Sequence, residues 1–260
     1  FTIIIARMLL PELFGIYALV LSIVTVVLTF TDLGIDNTLL RYLSDSVGKN
    51  NKRLSRSYFK HILKIKIFLI IFSVILLLSI SKYLSYSIYK NPLLFYPLIF
   101  SCLFIISDSL RGFLGVLFVA RKDFKPTVFF DFSLQVLKIV FSVFAILIFT
   151  DVLLISGIFI AFFISSFFTL ALMFFVLLKK DKSLLAGETE KIDKHKINSY
   201  WKFMVFASVS LVFFGSIDIL MLGKAVSPEY IGYYRAATSL VVTISTIFSL
   251  SWAFFPIFTQ

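Results

Sequence analysis

The sequence predicts an all-α fold, a polytopic bundle of transmembrane helices. Three observations carry this: an apolar fraction of 60% over 260 residues, long apolar runs separated by short polar segments, and a lopsided distribution of lysine and arginine. Soluble domains hold about 45–50% apolar residues, so a single water-facing core cannot absorb these side chains, and the bilayer must act as solvent. The mean hydropathy of +1.01 agrees. Helices are required, because barrel strands alternate in short segments whereas these runs are continuous.

A span needs about 20 mostly apolar residues. Runs of that kind lie at Leu13–Leu40, Ile65–Tyr86, Leu93–Ala120, Thr127–Thr150, Val152–Leu178, Trp201–Gly223 and Tyr233–Phe258, preceded by a shorter one at Phe1–Leu10. The short first run and the absence of an initiator Met read as an internal fragment of about eight spans, the first one cut. Nothing at the N-terminus has the zones of a cleavable signal. The expected division is a transmembrane lobe over 1–178, a cytoplasmic linker over 179–199 and the first two spans of a second lobe over 200–260. The linker is the longest polar stretch and includes Gly187, Glu188, Glu190 and Asp193.

The net charge of +11 belongs to loops rather than to a nucleic-acid site. Eighteen of the 25 Lys and Arg fall at one set of run ends, around Arg41–Lys66, Arg121–Lys125 and Lys179–Lys202. Five fall at the other, namely Arg7, Lys82, Lys90, Lys224 and Arg235, while Arg111 and Lys138 lie inside runs. The rich end is expected in the cytoplasm, with tyrosines belting the lean end. The single cysteine, Cys102, excludes a disulfide framework and reads as a small buried hydrophobe, and His61 and His195 read as solvated loop residues. No nucleotide loop, triad spacing or metal constellation is present in the sequence. We therefore expect no catalytic residue, no metal and no cofactor, a transporter rather than an enzyme.

An internal repeat links the two lobes. Arg7 followed by Pro11, Glu12, Gly15 and Tyr17 recurs as Lys224 followed by Pro228, Glu229, Gly232 and Tyr234, each 217 positions later, and Ser22, Val24 and Thr29 match Ser239, Val241 and Thr246 at the same offset. Six runs separate the copies, and an even number gives both the same orientation. Pro presets a helix start, Glu favours its positive end and Tyr anchors at an interface, which suits a tight connection between spans.

The Arg7–Tyr17 segment, Leu33–Gly34 through Arg41–Tyr42, and Asp218–Gly223 leading into Pro228–Tyr234 resemble the Wzx-type polysaccharide flippases. These belong to the multidrug, oligosaccharidyl-lipid and polysaccharide exporter superfamily. The resemblance implies a protein of roughly twelve to fourteen spans in two pseudo-symmetric six-helix lobes around a central cavity. It also implies translocation of polyprenyl-pyrophosphate-linked oligosaccharides across the plasma membrane for surface polysaccharide biosynthesis. Membrane lipids and the polysaccharide polymerase machinery are then the expected partners, and nucleic acid is not one.

Residues three, four or seven apart share a helix face. Polar stripes of that kind appear in five runs: Ser22, Thr25, Thr29, Asp32 and Asp36; Ser101, Asp108, Arg111 and Gly115; Thr127, Asp131, Gln135, Lys138 and Ser142; Ser208, Gly215 and Asp218; and Arg235, Thr238, Ser245, Ser249 and Trp252. The third and sixth runs show scattered serines and are expected to face lipid or pack on neighbours. Ionisable residues inside spans cost about 2.5–3.5 kcal/mol on insertion scales and must find partners or water. Asp108 with Arg111, and Asp131 with Lys138, can neutralise each other or cross-pair, as ties or as the lining of a cavity, and Asp32 and Asp36 suit a helix-end contact. The cavity candidates are Arg111, Lys138, Arg235, Asp108, Asp131, Asp218 and Trp252, with cations for phosphates and hydroxyls and aromatics for sugars. Asp32, Asp36 and Asp218 also suit a multidrug or cation antiporter. A polytopic glycosyltransferase or ligase would need larger loops bearing catalytic groups than those present.

Overall fold

The computed structural model describes residues 2–149, 153–180, 187, 188 and 190–248. Among them the chain is helical throughout, with no strand. The elements are α1 Thr2–Met8, α2 Pro11–Asp32, α3 Ile35–Gly48, α4 Lys52–Tyr83, α5 Phe95–Ala120, α6 Phe124–Ile148, α7 Leu154–Lys180, α8 Lys194–Ala225 and α9 Pro228–Phe248. A π-turn over Leu84–Ile88 extends α4, and a 3₁₀ turn over Pro92–Leu94 leads into α5. By length and composition Pro11–Gly48, Lys52–Ile88, Pro92–Ala120, Phe124–Ile148 and Leu154–Lys179 can each cross a membrane, and α8 and α9 occupy the last two apolar runs. Each start has a local cause. Pro11 opens α2 with Glu12 in the first turn, Asn51 Oδ1 accepts from Leu54 N at 3.0 Å to cap α4, and Asp193 Oδ1 caps α8 through Lys196 N at 3.1 Å.

The most extensive packing joins α5 to α7, α2 to α9 and α6 to α7. Hydrocarbon offers no hydrophobic drive between helices, so close approach of small side chains must supply the attraction. Ser101, Ser107, Ser165 and Thr169 are buried on α5 and α7, and each hydroxyl donates to a carbonyl three or four residues earlier in its own helix. They are thus satisfied without a partner helix and leave the backbones close. The outward faces carry Phe68, Phe72, Ile75, Phe129, Phe132 and Phe206, all exposed, as a lipid-facing surface requires.

Three expectations change. The second run is not one helix: Leu33 (φ 41°) and Gly34 (φ 75°) are both left-handed, and a new helix starts at Ile35. Asp32 holds the break by accepting from Gly34 N at 3.3 Å and Asp36 N at 3.0 Å, while Trp201 Nε1 donates to Leu33 O at 3.1 Å. A Cβ at Gly34 would come within 2.7 Å of Met204 Cβ, so packing as well as φ demands glycine there. Second, the stretch from Lys52 to Lys66 is helix rather than loop, Lys66 is buried, and His61 Nε2 is buried too, although His195 is exposed. The sixth run, expected to face lipid or pack on neighbours, forms α7, which packs against α5 and α6 and turns Phe167, Phe168 and Phe175 outward. The third change is that the polar link between α7 and α8 is shorter than expected, because α7 persists to Lys180 and α8 begins at Lys194.

Candidate functional site

Between α3, α5, α6 and α7 lies a cavity of about 320 Å³ lined by Asp36, Asn37, Arg111, Thr127, Asp131 and Met173, among others. Arg111 is its central cation and it is fully engaged. Its Nε donates to Asp108 Oδ1 at 3.1 Å and a terminal nitrogen to Asp131 Oδ1 at 2.9 Å, with Arg111 17% and Asp131 60% exposed. Ser166 Oγ from α7 adds a 3.3 Å bond to Asp108 Oδ1. Of the arrangements the spacing allows, the structure takes the crossed one for Asp131: Arg111 spans the gap from α5 to α6 and binds both carboxylates, and Asp131 does not pair with Lys138.

On the far wall of the same charge cluster, Lys66 from α4 is 1% exposed and reaches Asp36 Oδ1 at 3.0 Å and Asp32 Oδ1 at 3.6 Å. The helix break places Asp32 and Asp36 one turn apart across a kink, so both can face a single ammonium group. Within these two clusters four carboxylates, Asp32, Asp36, Asp108 and Asp131, share two cations, Lys66 and Arg111.

Lys138 on α6 is placed differently. It makes no ion pair among the described residues, and its Nζ sits 4.8 Å from the centre of the Phe104 ring and 5.1 Å from that of Phe162. Both rings belong to an aromatic group in which Phe104 meets Phe162 edge-on at 5.4 Å and Tyr17 meets Phe162 edge-on at 6.4 Å. Asp108 and Arg111 act on Lys138 electrostatically, which places the lysine beside the α5 ion pair. Arg235 on α9 acts in the same way on the Tyr17 hydroxyl, and its Nε is buried without a partner. Thus α2, α5, α6 and α7 bring Lys138 to one aromatic group that includes Tyr17, and α9, which carries Arg235, packs along α2.

The remaining candidates scatter. Asp218 is exposed on α8, where Oδ2 accepts from Tyr234 OH at 2.7 Å. Trp252 lies outside the described residues. The Pro-Glu-Gly-Tyr hairpins meet at the lysine-poor end, where α2 and α9 cross with Gly15 against the Pro228 carbonyl and Gly232 against the Pro11 carbonyl. Glu229 accepts from Tyr233 OH at 2.7 Å, and Glu12 is exposed. Sequence reasoning missed Lys66, Phe104, Phe162 and Ser166. For Lys66 a signal existed, since Phe59, Lys66 and Ser73 are seven apart on the buried face of α4.

These helices, with ionisable side chains turned toward one another and aromatic rings between them, define a polytopic helical membrane protein. The whole chain, residues 1–260, matches the family model of the polysaccharide biosynthesis proteins. The chain belongs to that family. No curated protein and no solved structure shows a significant match to it.

Proposed function

We propose that the protein is a flippase of the plasma membrane that moves polyprenyl-pyrophosphate-linked oligosaccharides to the outer surface, and that Lys138 and Arg235 meet the phosphates. The observation that carries this is the unpaired ammonium of Lys138 set against Phe104 and Phe162, with the buried Arg235 Nε of α9 also without a hydrogen-bond partner. An unpaired cation beside aromatic faces suits a phosphorylated sugar, the phosphate taking the charge and the sugar ring the aromatic surface. Arg111 is a weaker candidate than its charge suggests, because two carboxylates already neutralise it. The acidic excess around the cavity is the observation that favours the second reading, a multidrug or cation antiporter of the same superfamily.

Replacing Lys138 by Ala removes a charged contact of about 1.5–3 kcal/mol, and surface polysaccharide output should fall roughly 10- to 150-fold at unchanged protein level. Lys138→Arg should keep part of it. Output at the parental level from Lys138→Ala, with normal insertion, would overturn the assignment and direct attention to the antiporter.

The lysine-rich end is assigned to the cytoplasm. Ser55 and Ser85 are buried, so labelling must use exposed positions. A cysteine at Asn50 should be protected from an impermeant thiol reagent in intact cells, and cysteines at Ser87 and Ser227 should react, with Cys102 buried and silent. The opposite labelling pattern would invert the topology.

A further inference from the structure

At the lysine-rich end, α4 and the segment that leads into α8 enclose a second cavity, of about 250 Å³, lined by Ser57, Lys60, His61, Lys64, Glu190, Ile192 and Lys194. We propose that it binds a phosphate group carried at the membrane surface, as in an anionic lipid headgroup.

The first reason is the pairing of charges. Five basic side chains at this end are already occupied: Lys49 with Asp45, Arg53 with Glu188, Arg41 over the Tyr200 ring, Arg56 on the Glu188 carbonyl and Lys66 with Asp36. Lys60, Lys64 and Lys194, which line the cavity, make no ion pair among the described residues. The one carboxylate there, Glu190, accepts from Asn51 Nδ2 at 2.8 Å, and Ser57 Oγ is held by the Glu190 backbone, donating to its carbonyl at 2.8 Å and accepting from its N–H at 2.8 Å. Three ammonium groups therefore face one carboxylate that is bonded elsewhere.

The second reason is independent of charge counting. His61 Nε2 is buried in the wall of this cavity and has no hydrogen-bond partner. Buried polar atoms are nearly always paired, and because His61 lines the cavity, a turn of its ring would bring this nitrogen to a phosphate oxygen there as an N–H donor. The third reason is depth. Lys60 and Lys64 stand one turn apart immediately before the apolar run of α4 that begins at Ile65, which is headgroup level. Glu188 and Glu190 are held against α4 by Arg56, Asn51 and Ser57, which fixes the wall opposite Lys60 and Lys64.

The ligand chemistry is a phosphate ester, and its source is either a bilayer phospholipid or the pyrophosphoryl headgroup of a lipid-linked sugar. Thermal unfolding of the intact protein in nanodiscs of phosphatidylcholine separates these. One arm adds phosphatidylglycerol to the bilayer, and the other adds inorganic pyrophosphate to the buffer. Occupancy should raise the Tm by at least about 3 °C in one arm or both. K60Q/K64Q/K194Q should lose most of that rise, while K52Q/K122Q/K202Q, which removes the same charge at exposed positions away from the cavity, should keep it. A rise with phosphatidylglycerol assigns the site to bilayer lipid, and one with pyrophosphate to a pyrophosphoryl headgroup. No rise in either arm, or an equal loss in both triple variants, would overturn the proposal. The readout is binding rather than export, so its failure leaves the Lys138 reading untouched.

Discussion

Alanine at Gly15 or at Gly232 is expected to break the α2–α9 crossing and to abolish most surface polysaccharide output, whereas alanine at Gly48 is expected to change neither. A Cβ at Gly15 would land on the Pro228 carbonyl oxygen and lie 3.1 Å from Gly232 N; one at Gly232 would land on the Pro11 carbonyl oxygen and lie 3.3 Å from Gly15 N. The atoms opposed are backbone and cannot rotate aside, so the helices must separate. Forcing a methyl into a filled contact costs about 1–3 kcal/mol, and here the contact holds the first helix pair to the second over the start of both. At Gly48 nothing lies within 4 Å, and at Gly112 the nearest atom is the movable Asp36 Oδ2 at 3.6 Å, which makes both useful controls. Thermal unfolding in detergent together with export in cells decides the matter. If Gly15→Ala and Gly232→Ala melt and export as Gly48→Ala does, the close approach is dispensable.

The same contact explains why the repeat is visible in the sequence at all. In a two-fold contact residue i touches j wherever j touches i. Gly15 on Pro228 becomes Gly232 on Pro11 when each residue is exchanged for its counterpart 217 positions away. Pro and Gly are thus each used twice for one geometric reason, and that reason survives in the sequence as a short identical pattern.

Other features were legible to different depths. The apolar runs mark the helices, because hydrocarbon solvent leaves few other conformations and the pattern is local. The break at Leu33–Gly34 was not readable from propensity. Leucine rarely takes φ 41°, and it does so here because Asp32, Trp201 and Met204 hold the turn, two of them from a helix about 170 positions on. Lys66 escaped notice for a related reason. It follows a lysine-rich stretch and looks like its last solvated member, yet the kink presents Asp32 and Asp36 to it. Arg111 illustrates the converse, since its place inside a span was plain and its partners were not: whether it bonded Asp108, Asp131 or both depended on the distance between α5 and α6. The box around Lys138 is built from α5 and α7, with Tyr17 of α2 behind it, and no short-range pattern joins those positions.

Lys66→Met is expected to be the most destabilising single substitution in the chain. The side chain is 1% exposed and its ammonium lies 3.0 Å from Asp36 Oδ1 and 3.6 Å from Asp32 Oδ1, which are 25% and 33% exposed. Methionine fills nearly the same volume, so packing against Phe113 is kept and the change isolates charge. It leaves two carboxylates one turn apart with no cation, and breaking a buried pair from one side costs about 3–5 kcal/mol. Removing both sides should cost far less. The D32N/K66M/D36N variant has no charge left to strand, and the single side-chain amide oxygen that replaces the Asp32 carboxylate can still accept the shorter bond, 3.0 Å from the backbone N–H of position 36, so the helix break keeps that cap and loses the 3.3 Å bond from Gly34 N. Thermal unfolding should therefore show a large fall in Tm for the single variant and recovery of more than half of it in the triple. A single variant as stable as the parent would mean that water or a shifted neighbour already compensates Asp32 and Asp36, and a triple no better than the single would mean that Lys66 acts through its stem and not its charge. Export separates the two roles of Asp36, which both pairs with Lys66 and lines the 320 Å³ cavity. A triple variant that regains stability while remaining silent in export would assign the Asp32–Lys66–Asp36 cluster to transport itself, and D36N alone, silent at near-parental stability, would assign it to Asp36.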